Sequence, residues 1–471
     1  MKKYILLLLL AVVVSSCDDM DVVNPELKGV LSTDKTVHTP VTCEQIIIGA
    51  YSDMYSSCIN APGFPAIMNG TLQKTADYRK NVVYFVEKPE NGGVLNKLYN
   101  VFDKVWEPNY KVIAGANSAL QAIGTVNEND FEGDTKNQLL GEAYFLRAFG
   151  HYNIMRYFAH WWTENPNILP GADRSKYEEY GIIYRDQEIT KDNIHMAQLS
   201  VKDSYDKLYA DLDKAIELIG SYTDATRANN LAARALKARV ALMRGDWKTA
   251  KEMASDVIAS PDRTVDTFEN ICLDEEGNTE VIFRMPLIDT DKDRWEYTWN
   301  RAFNKESGGW GPTDYYKNLI EGDPRQSLIY QKATESDWDV LIKLKPNNES
   351  TARGIIYIRL SEMYLIKAEA EMNSTGDALA TITEFRNLRN VETSGKDVEK
   401  LIYEEWLKEM SFEDGHEWFA CIRFNKLFES NVLLEEEGYT NESIVVKYAQ
   451  RHPTFEKNAN TKLKPNPGYN Q

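Results

Sequence analysis

Apolar residues recur at helical spacing through most of this chain. Between residues 139 and 158, Leu139, Ala143, Leu146, Gly150, Ile154 and Tyr157 share one stripe, with Arg147 and Arg156 off it. Tyr205, Leu208, Leu212, Ala215 and Ile219 extend the pattern over 204–219. In 228–260, Leu231, Ala235, Ala238 and Leu242 make one apolar face, and Gly245-Asp246 breaks the helix. Ala250, Met253, Ala254, Val257 and Ile258 then mark a second helix that ends before Pro261. Residues 357–391 repeat the arrangement: Leu360, Tyr364 and Ala368, a turn at Gly376-Asp377, then Ile382, Phe385 and Leu388.

Two helices joined by a Gly turn, with small residues where they cross, resemble a tetratricopeptide hairpin; alanines let the backbones approach. A third pair would join 139–158 to 204–219 across a long insertion. Between the units lie aromatic-rich, irregular stretches at 59–100, 159–190 and 262–356. Loops of that length are uncommon unless they carry function. Short strands are expected at Glu280–Phe283 and near Val340–Ile342. The pattern predicts a mainly all-α fold, a scaffold of tetratricopeptide-type helix pairs with long irregular loops and a few short β-hairpins.

The first residues stand outside this scaffold. Lys2 and Lys3 precede an apolar run of ten residues, Ile5–Val14. That is short of the ~20 a spanning helix needs and fits a signal-peptide core of about 7–15. Val14-Ser15-Ser16-Cys17 follows and resembles a bacterial lipobox, so Cys17 is the expected lipidation site and the first residue of the mature chain. Asp18-Asp19-Met20-Asp21 resembles the surface-export signal of Bacteroidetes lipoproteins, and equally a solvated tether. The expected organisation is a signal peptide (1–16), a lipidated tether (17–40) and one domain (41–471). Helices are expected over about 104–158, 204–260 and 357–391, and ligand-facing loops over about 59–100 and 262–356.

A net charge of −18 argues against nucleic acid and against an anionic membrane surface as direct partners, and favours a neutral ligand. Aromatics are 11% of residues, and Tyr and Trp can stay partly exposed and still supply binding area. Cys43 and Cys58 could pair in an oxidising compartment, although a chain of this size needs no such staple and buried thiols are favoured. His38, His151, His160, His195, His416 and His452 are scattered without metal-ligand spacing. No phosphate-binding glycine loop or nucleophile elbow occurs, so no cofactor, metal or catalytic residue is expected.

Specific strings narrow the reading. Gly141-Glu142-Ala143-Tyr144-Phe145-Leu146-Arg147-Ala148-Phe149 resembles the signature helix of the SusD/RagB family of outer-membrane nutrient-binding lipoproteins. Tyr110–Ile113 with Ala116-Asn117 resembles the helix before it, and Glu280–Phe283 a family strand. Gly311-Pro312-Thr313 with Gly322-Asp323-Pro324-Arg325, the helix Arg359–Leu365 running into Ala368-Glu369-Ala370, and the closing Asn466-Pro467-Gly468-Tyr469 continue the series in order. One stretch departs: Glu405, Glu417 and Ala420 stand where the family pattern has Arg and Asp, which puts local ion pairing in question. The resemblance implies a helical lid over a SusC-like TonB-dependent barrel, lipid-anchored at the outer membrane and surface-exposed, with ligand held on the loop face.

Sugar binding needs flat apolar faces for pyranose C–H groups and planar polar groups for hydroxyls. Trp295, Tyr297 and Trp299 alternate and would share one face of an extended segment, with Trp310 close behind. A half-buried strand packing those rings on the scaffold fits the pattern equally well. Tyr78, Arg79 and Asn81 form a second candidate cluster, and an ordinary solvated loop accounts for them too. Trp161 and Trp162 read as core. The leading expectation is a non-catalytic protein that captures oligosaccharide or polysaccharide for a transporter. The alternatives are a RagB-like lid that binds peptides and a tetratricopeptide scaffold that binds only proteins; an enzyme ranks last.

Overall fold

Helix α1, Pro40–Ile59, buries Cys43, Ile47, Ala50 and Met54 at spacings of four, three and four, one face of a 3.6-residue helix. That face packs on α2, Gly93–Thr125, and α3, Thr135–Phe158. The computed structural model describes residues 37–59, 83–85, 93–221, 223–273, 278–286, 310–312, 314–332, 339–343, 354–426 and 445–469. Helix α2 starts at Gly93, inside a stretch read from the sequence as loop, and continues through Pro108. Proline there removes one helical N–H donor, and the Asn109 side chain donates to the Val105 carbonyl beside it at 2.7 Å.

Helix α3 is the axis of the fold. From Phe145 to Phe158 every residue is buried, including Arg147 and Arg156. The apolar stripe expected on one face is therefore half of the picture, since neighbours cover the helix all round and the arginines enter the core as ion pairs. Gly150 faces α2 closely: a Cβ there would lie 2.9 Å from the Asn109 carbonyl oxygen.

Helices α4, Val201–Leu218, α5, Asn230–Arg244, and α6, Trp247–Ile258, follow as antiparallel neighbours. The Gly245-Asp246 turn does two jobs. Gly245 takes φ +79° to end α5, and the Asp246 carboxylate accepts from Thr249 N–H to start α6. Ala232, Ala235, Ala238 and Ala241 are fully buried on α5, as are Ala250 and Ala254 on α6. Helices α10, Leu360–Met372, and α11, Ala378–Leu388, form the second hairpin, with Asp377 capping Ala380 N–H. The two hairpins, distant in sequence, stack in space: α10 packs on α6.

The stretch 262–356 contains more regular structure than its composition suggests. It holds α7 (Phe268–Leu273), β2 (Val281–Pro286), β3 (Trp310–Pro312), α8 (Asp314–Leu319), α9 (Gln326–Ile329), β4 (Tyr330–Lys332), β5 (Asp339–Leu341) and the start of β6 (Gly354–Arg359). Among the described residues the strand pairs are antiparallel: β2 with β6, β4 with β5, and β3 with β1, Val83–Phe85. The expected strands at 280–283 and 340–342 are β2 and β5. Helices α12, Val398–Met410, and α13, His416–Arg423, close the bundle, and α14, Thr454–Ala459, belongs to the C-terminal tail. Cys43 is free and fully buried. Among the described residues no helix is long and apolar enough to cross a membrane.

Candidate functional site

The motif residues converge in the interior as ion pairs. Arg147 of the signature helix forks onto Asp211 of α4 at 2.8 and 2.6 Å and donates to the Asn117 side chain at 3.0 Å; Asn117 in turn donates to the carbonyls of Arg185 and Gln187. Glu142 accepts from Tyr51 at 2.8 Å and pairs with Arg227 at 2.9 Å. Arg239 forks onto Glu362 at 2.6 Å, and Arg156 reaches Asp414 at 2.6 Å. These pairs join α1 through α5 to α10 and to the turn before α13.

A larger cluster ties the loop-bearing region to α12. Arg325 contacts Asp323, Glu405 and Glu409 at 2.8, 2.5 and 2.7 Å. Arg359, at the end of β6, contacts Glu280, Glu409 and Glu413 at 2.9, 2.6 and 2.8 Å. Arg389 adds Glu280 and Glu409, and Arg386 adds Glu405. Burial alone would raise the Glu409 carboxyl, but Arg389, Arg359 and Arg325 overcome it and hold that group well below the usual carboxylate range. The departure at Glu405 thus keeps its ion pairing, to two arginines. At Glu417 burial dominates and pushes the carboxyl up to about 7. Ala420 is fully buried on α13, where no polar partner is needed.

His151 is locked as a neutral ring. Its Nδ1 faces the Arg147 carbonyl at 2.9 Å, its Nε2 accepts from Arg185 N–H at 2.9 Å, and it stacks on Tyr184 at 3.7 Å. Burial first, then Arg147, keeps its pKa well below the ordinary histidine value. Trp106, Trp161 and Trp162 are core residues. No cluster of metal-ligating side chains occurs among the described residues.

Tyr78, Arg79, Asn81, Trp295, Tyr297, Trp299 and the lipidation site Cys17 lie outside the described residues, and Trp310 is described for its backbone alone. Residues 75–81 lead into β1 and residues 295–309 lead into β3, and the two strands pair with Val83 opposite Pro312 and Phe85 opposite Trp310. The two strands that follow the candidate segments in sequence are therefore joined by a three-residue ladder.

Two surface clefts open elsewhere. One, of about 520 Å³, lies at the start of α5 beside Asn230, Arg234, Asp256 and Arg263. The other, of about 560 Å³, lies between the 169–177 loop and Asn425, with Trp162 and Tyr177 in its wall. The second went unread in the sequence. Its residues sit in the insertion after α3, and neither Leu169 nor Asn425 carries a pattern that announces a close approach across the chain.

Residues 34–242 match the family model of SusD-like proteins described as starch-binding and associating with the outer membrane. SusD-like protein P2 of Formosa agariphila is 27% identical over 269 residues, 55% of this chain and 46% of that protein. A SusD superfamily protein from Bacteroides thetaiotaomicron superposes with a TM-score of 0.71 at 18% identity, over 91% of this chain and 100% of that one. A laminarin-binding SusD-like protein superposes at 0.68 and 17% identity, over 92% of this chain and 100% of that one. The ordered motifs meet inside a helical fold shared with solved SusD superfamily structures, and residues 34–242 of the chain resemble the SusD-like family.

Proposed function

We propose that this chain is a non-catalytic surface protein that captures glycan and hands it to a SusC-like TonB-dependent barrel, held at the outer membrane by lipid on Cys17. One observation carries the reading: the frame superposes over nine-tenths of its length on a laminarin-binding relative, within a family described as starch-binding. The ionic cluster supports a holding role, since it ties the Glu280–Arg359 end of the β2–β6 ladder to α12, and the same ladder pairs Pro286 with Gly354 at its other end. Its carboxylates are spent on arginines and are not poised as an acid and base.

In this reading the rings of Trp295, Tyr297, Trp299 and Trp310 lie along the C–H faces of a sugar chain, and Tyr78, Arg79 and Asn81 take hydroxyls. Each ring contact contributes about 0.5–1.5 kcal/mol, so three or four of them with a few hydrogen bonds give affinity from about millimolar to micromolar. Weak capture suffices beside a transporter, because tethering raises the effective concentration. No cofactor takes part.

The test is a glycan array followed by calorimetry on the chain from residue 18. Binding to at least one neutral polysaccharide, lost in a Trp295→Ala, Tyr297→Ala, Trp299→Ala variant, is expected. Binding to peptides alone, or release of reducing ends from a bound polysaccharide, overturns the reading.

A further inference from the structure

The C-terminal tail reverses the sign of the chain. In a protein of net charge −18, residues 451–464 hold Arg451, Lys457, Lys462 and Lys464 against one carboxylate, Glu456. That carboxylate accepts from the buried Asn460 amide at 3.2 Å. Lys462 and Lys464 are exposed and Lys457 is half-buried, and none of the three has a carboxylate within ion-pair distance among the described residues.

The tail is seated on the loop 185–198. Asn460 donates to the Met196 carbonyl at 2.8 Å, and Gln198 and Lys464 exchange two hydrogen bonds at 2.9 and 3.0 Å. The loop is braced in a shape that leaves apolar side chains outside. Arg185, itself buried, donates to the carbonyls of Asn193 and Ile194. Asn193 closes the tip by accepting from Thr190 N–H and donating to the Glu188 carbonyl. Ile189 and Ile194 remain 53% and 48% exposed, and Phe455, at the start of α14, is 47% exposed. Single exposed apolar residues are ordinary. Three of them on two segments bonded to each other, beside three lysines without carboxylate partners, mark a contact surface.

The two properties together select the occupant. An anionic lipid layer takes both, since ammonium groups stay at the phosphates while aliphatic and aromatic side chains enter the headgroup region. The net charge of the whole chain argues against such a layer, but charges more than about 8 Å away are largely screened at physiological salt. The loop's own Asp186 and Glu188 are engaged by Lys207 and Ser118. A lipid neighbour also agrees with the family model matched by residues 34–242, which is described as associating with the outer membrane.

We propose that the 185–198 loop and the 454–464 tail form a docking surface for anionic lipid headgroups, with Ile189, Ile194 and Phe455 in the headgroup layer and Lys457, Lys462 and Lys464 on the phosphates. This contact is separate from glycan capture and needs no acyl anchor.

The chain from residue 18, which lacks the acylated cysteine, is sedimented with vesicles of phosphatidylcholine alone and of phosphatidylcholine mixed equally with phosphatidylglycerol. Binding to the mixed vesicles only, weakening as salt rises, is expected. Lys462→Gln and Lys464→Gln are each expected to lower the partition about fivefold, and Phe455→Ser to lower it at high salt as well. Lys214→Gln, near the other end of α4 from the loop, is expected to leave it unchanged. All four side chains are exposed, so the melting temperature is expected to hold. No binding, equal binding to both vesicle types, or a loss in Lys214→Gln as large as that in Lys464→Gln overturns the inference and leaves the capture reading as it stands.

Discussion

The Asn466 side chain donates to the Phe158 carbonyl at 2.8 Å across 308 residues. The same amide donates to the Gln450 carbonyl, and Gln450 N–H in turn donates to Tyr157 O. The last motif of the chain thus satisfies the open carbonyl end of its signature helix. Leaving buried carbonyls without donors costs about 1–3 kcal/mol. Asn466→Ala is expected to lower stability by about that amount, measured by urea unfolding, with the helical circular dichroism of the folded state unchanged.

Glu417 predicts a pH effect of unusual sign for a carboxylate. Its folded value is raised to about 7 from the usual 4.5 by burial. The folded state therefore binds this proton more tightly than the unfolded chain does. The contribution is fully present below about 4.5 and is lost as pH rises through about 7, amounting to about 3 kcal/mol. Glu417→Gln keeps the shape and cannot ionise. Its stability relative to the parent is expected to grow between pH 5 and pH 8, measured as the difference in urea midpoint; an equal difference at both pH values would refute the assignment.

Glu409 behaves oppositely. Held well below the usual range by three arginines, it stabilises the fold above the unfolded carboxylate pKa, and that stability disappears as pH falls through its lowered value. Removing one arginine exposes the cost of the rest. Arg359→Met leaves Glu280, Glu409 and Glu413 short of a partner and is expected to cost about 3–5 kcal/mol, seen as a large drop in melting temperature at neutral pH.

Gly150 allows α2 and α3 to touch. Adding a Cβ would place it 2.7 Å from Ile113 Cγ1 and 2.9 Å from the Asn109 oxygen. Gly150→Ala is expected to destabilise by about 1–3 kcal/mol through overpacking, whereas Gly124→Ala, in open space on the same helix pair, should not. Unfolding midpoints of the two variants decide the point.

Much of the frame was legible because it is local. Apolar spacing and Gly-Asp turns mark α5, α6, α10 and α11, and a cap or a glycine acts within four residues of its own position. Arg147 and Arg156 show where local reading fails. Their partners, Asp211 and Asp414, lie 64 and 258 residues away, so nothing near either arginine in the sequence shows that it belongs to the core. The turn before α13 is the same kind of case: Phe412 and Asp414 take φ of +70° and +47°, which nothing in their identity demands. The aromatic candidates were found by composition and alternation, and those signals place rings on a segment without saying what the rings face. The bond from Leu169 N–H to the Asn425 side chain joins positions 256 apart, beyond the reach of any spacing rule.

The ladder between Val83–Phe85 and Trp310–Pro312 bears on what can vary around it without loss of the fold. Backbone pairing does not depend on side-chain identity, so the stretches upstream of each strand are free to lengthen, shorten or exchange residues while the seam between them holds. On the proposed capture reading, a change of ligand is then written into both stretches while the pairing of Val83–Phe85 with Trp310–Pro312 stays as it is.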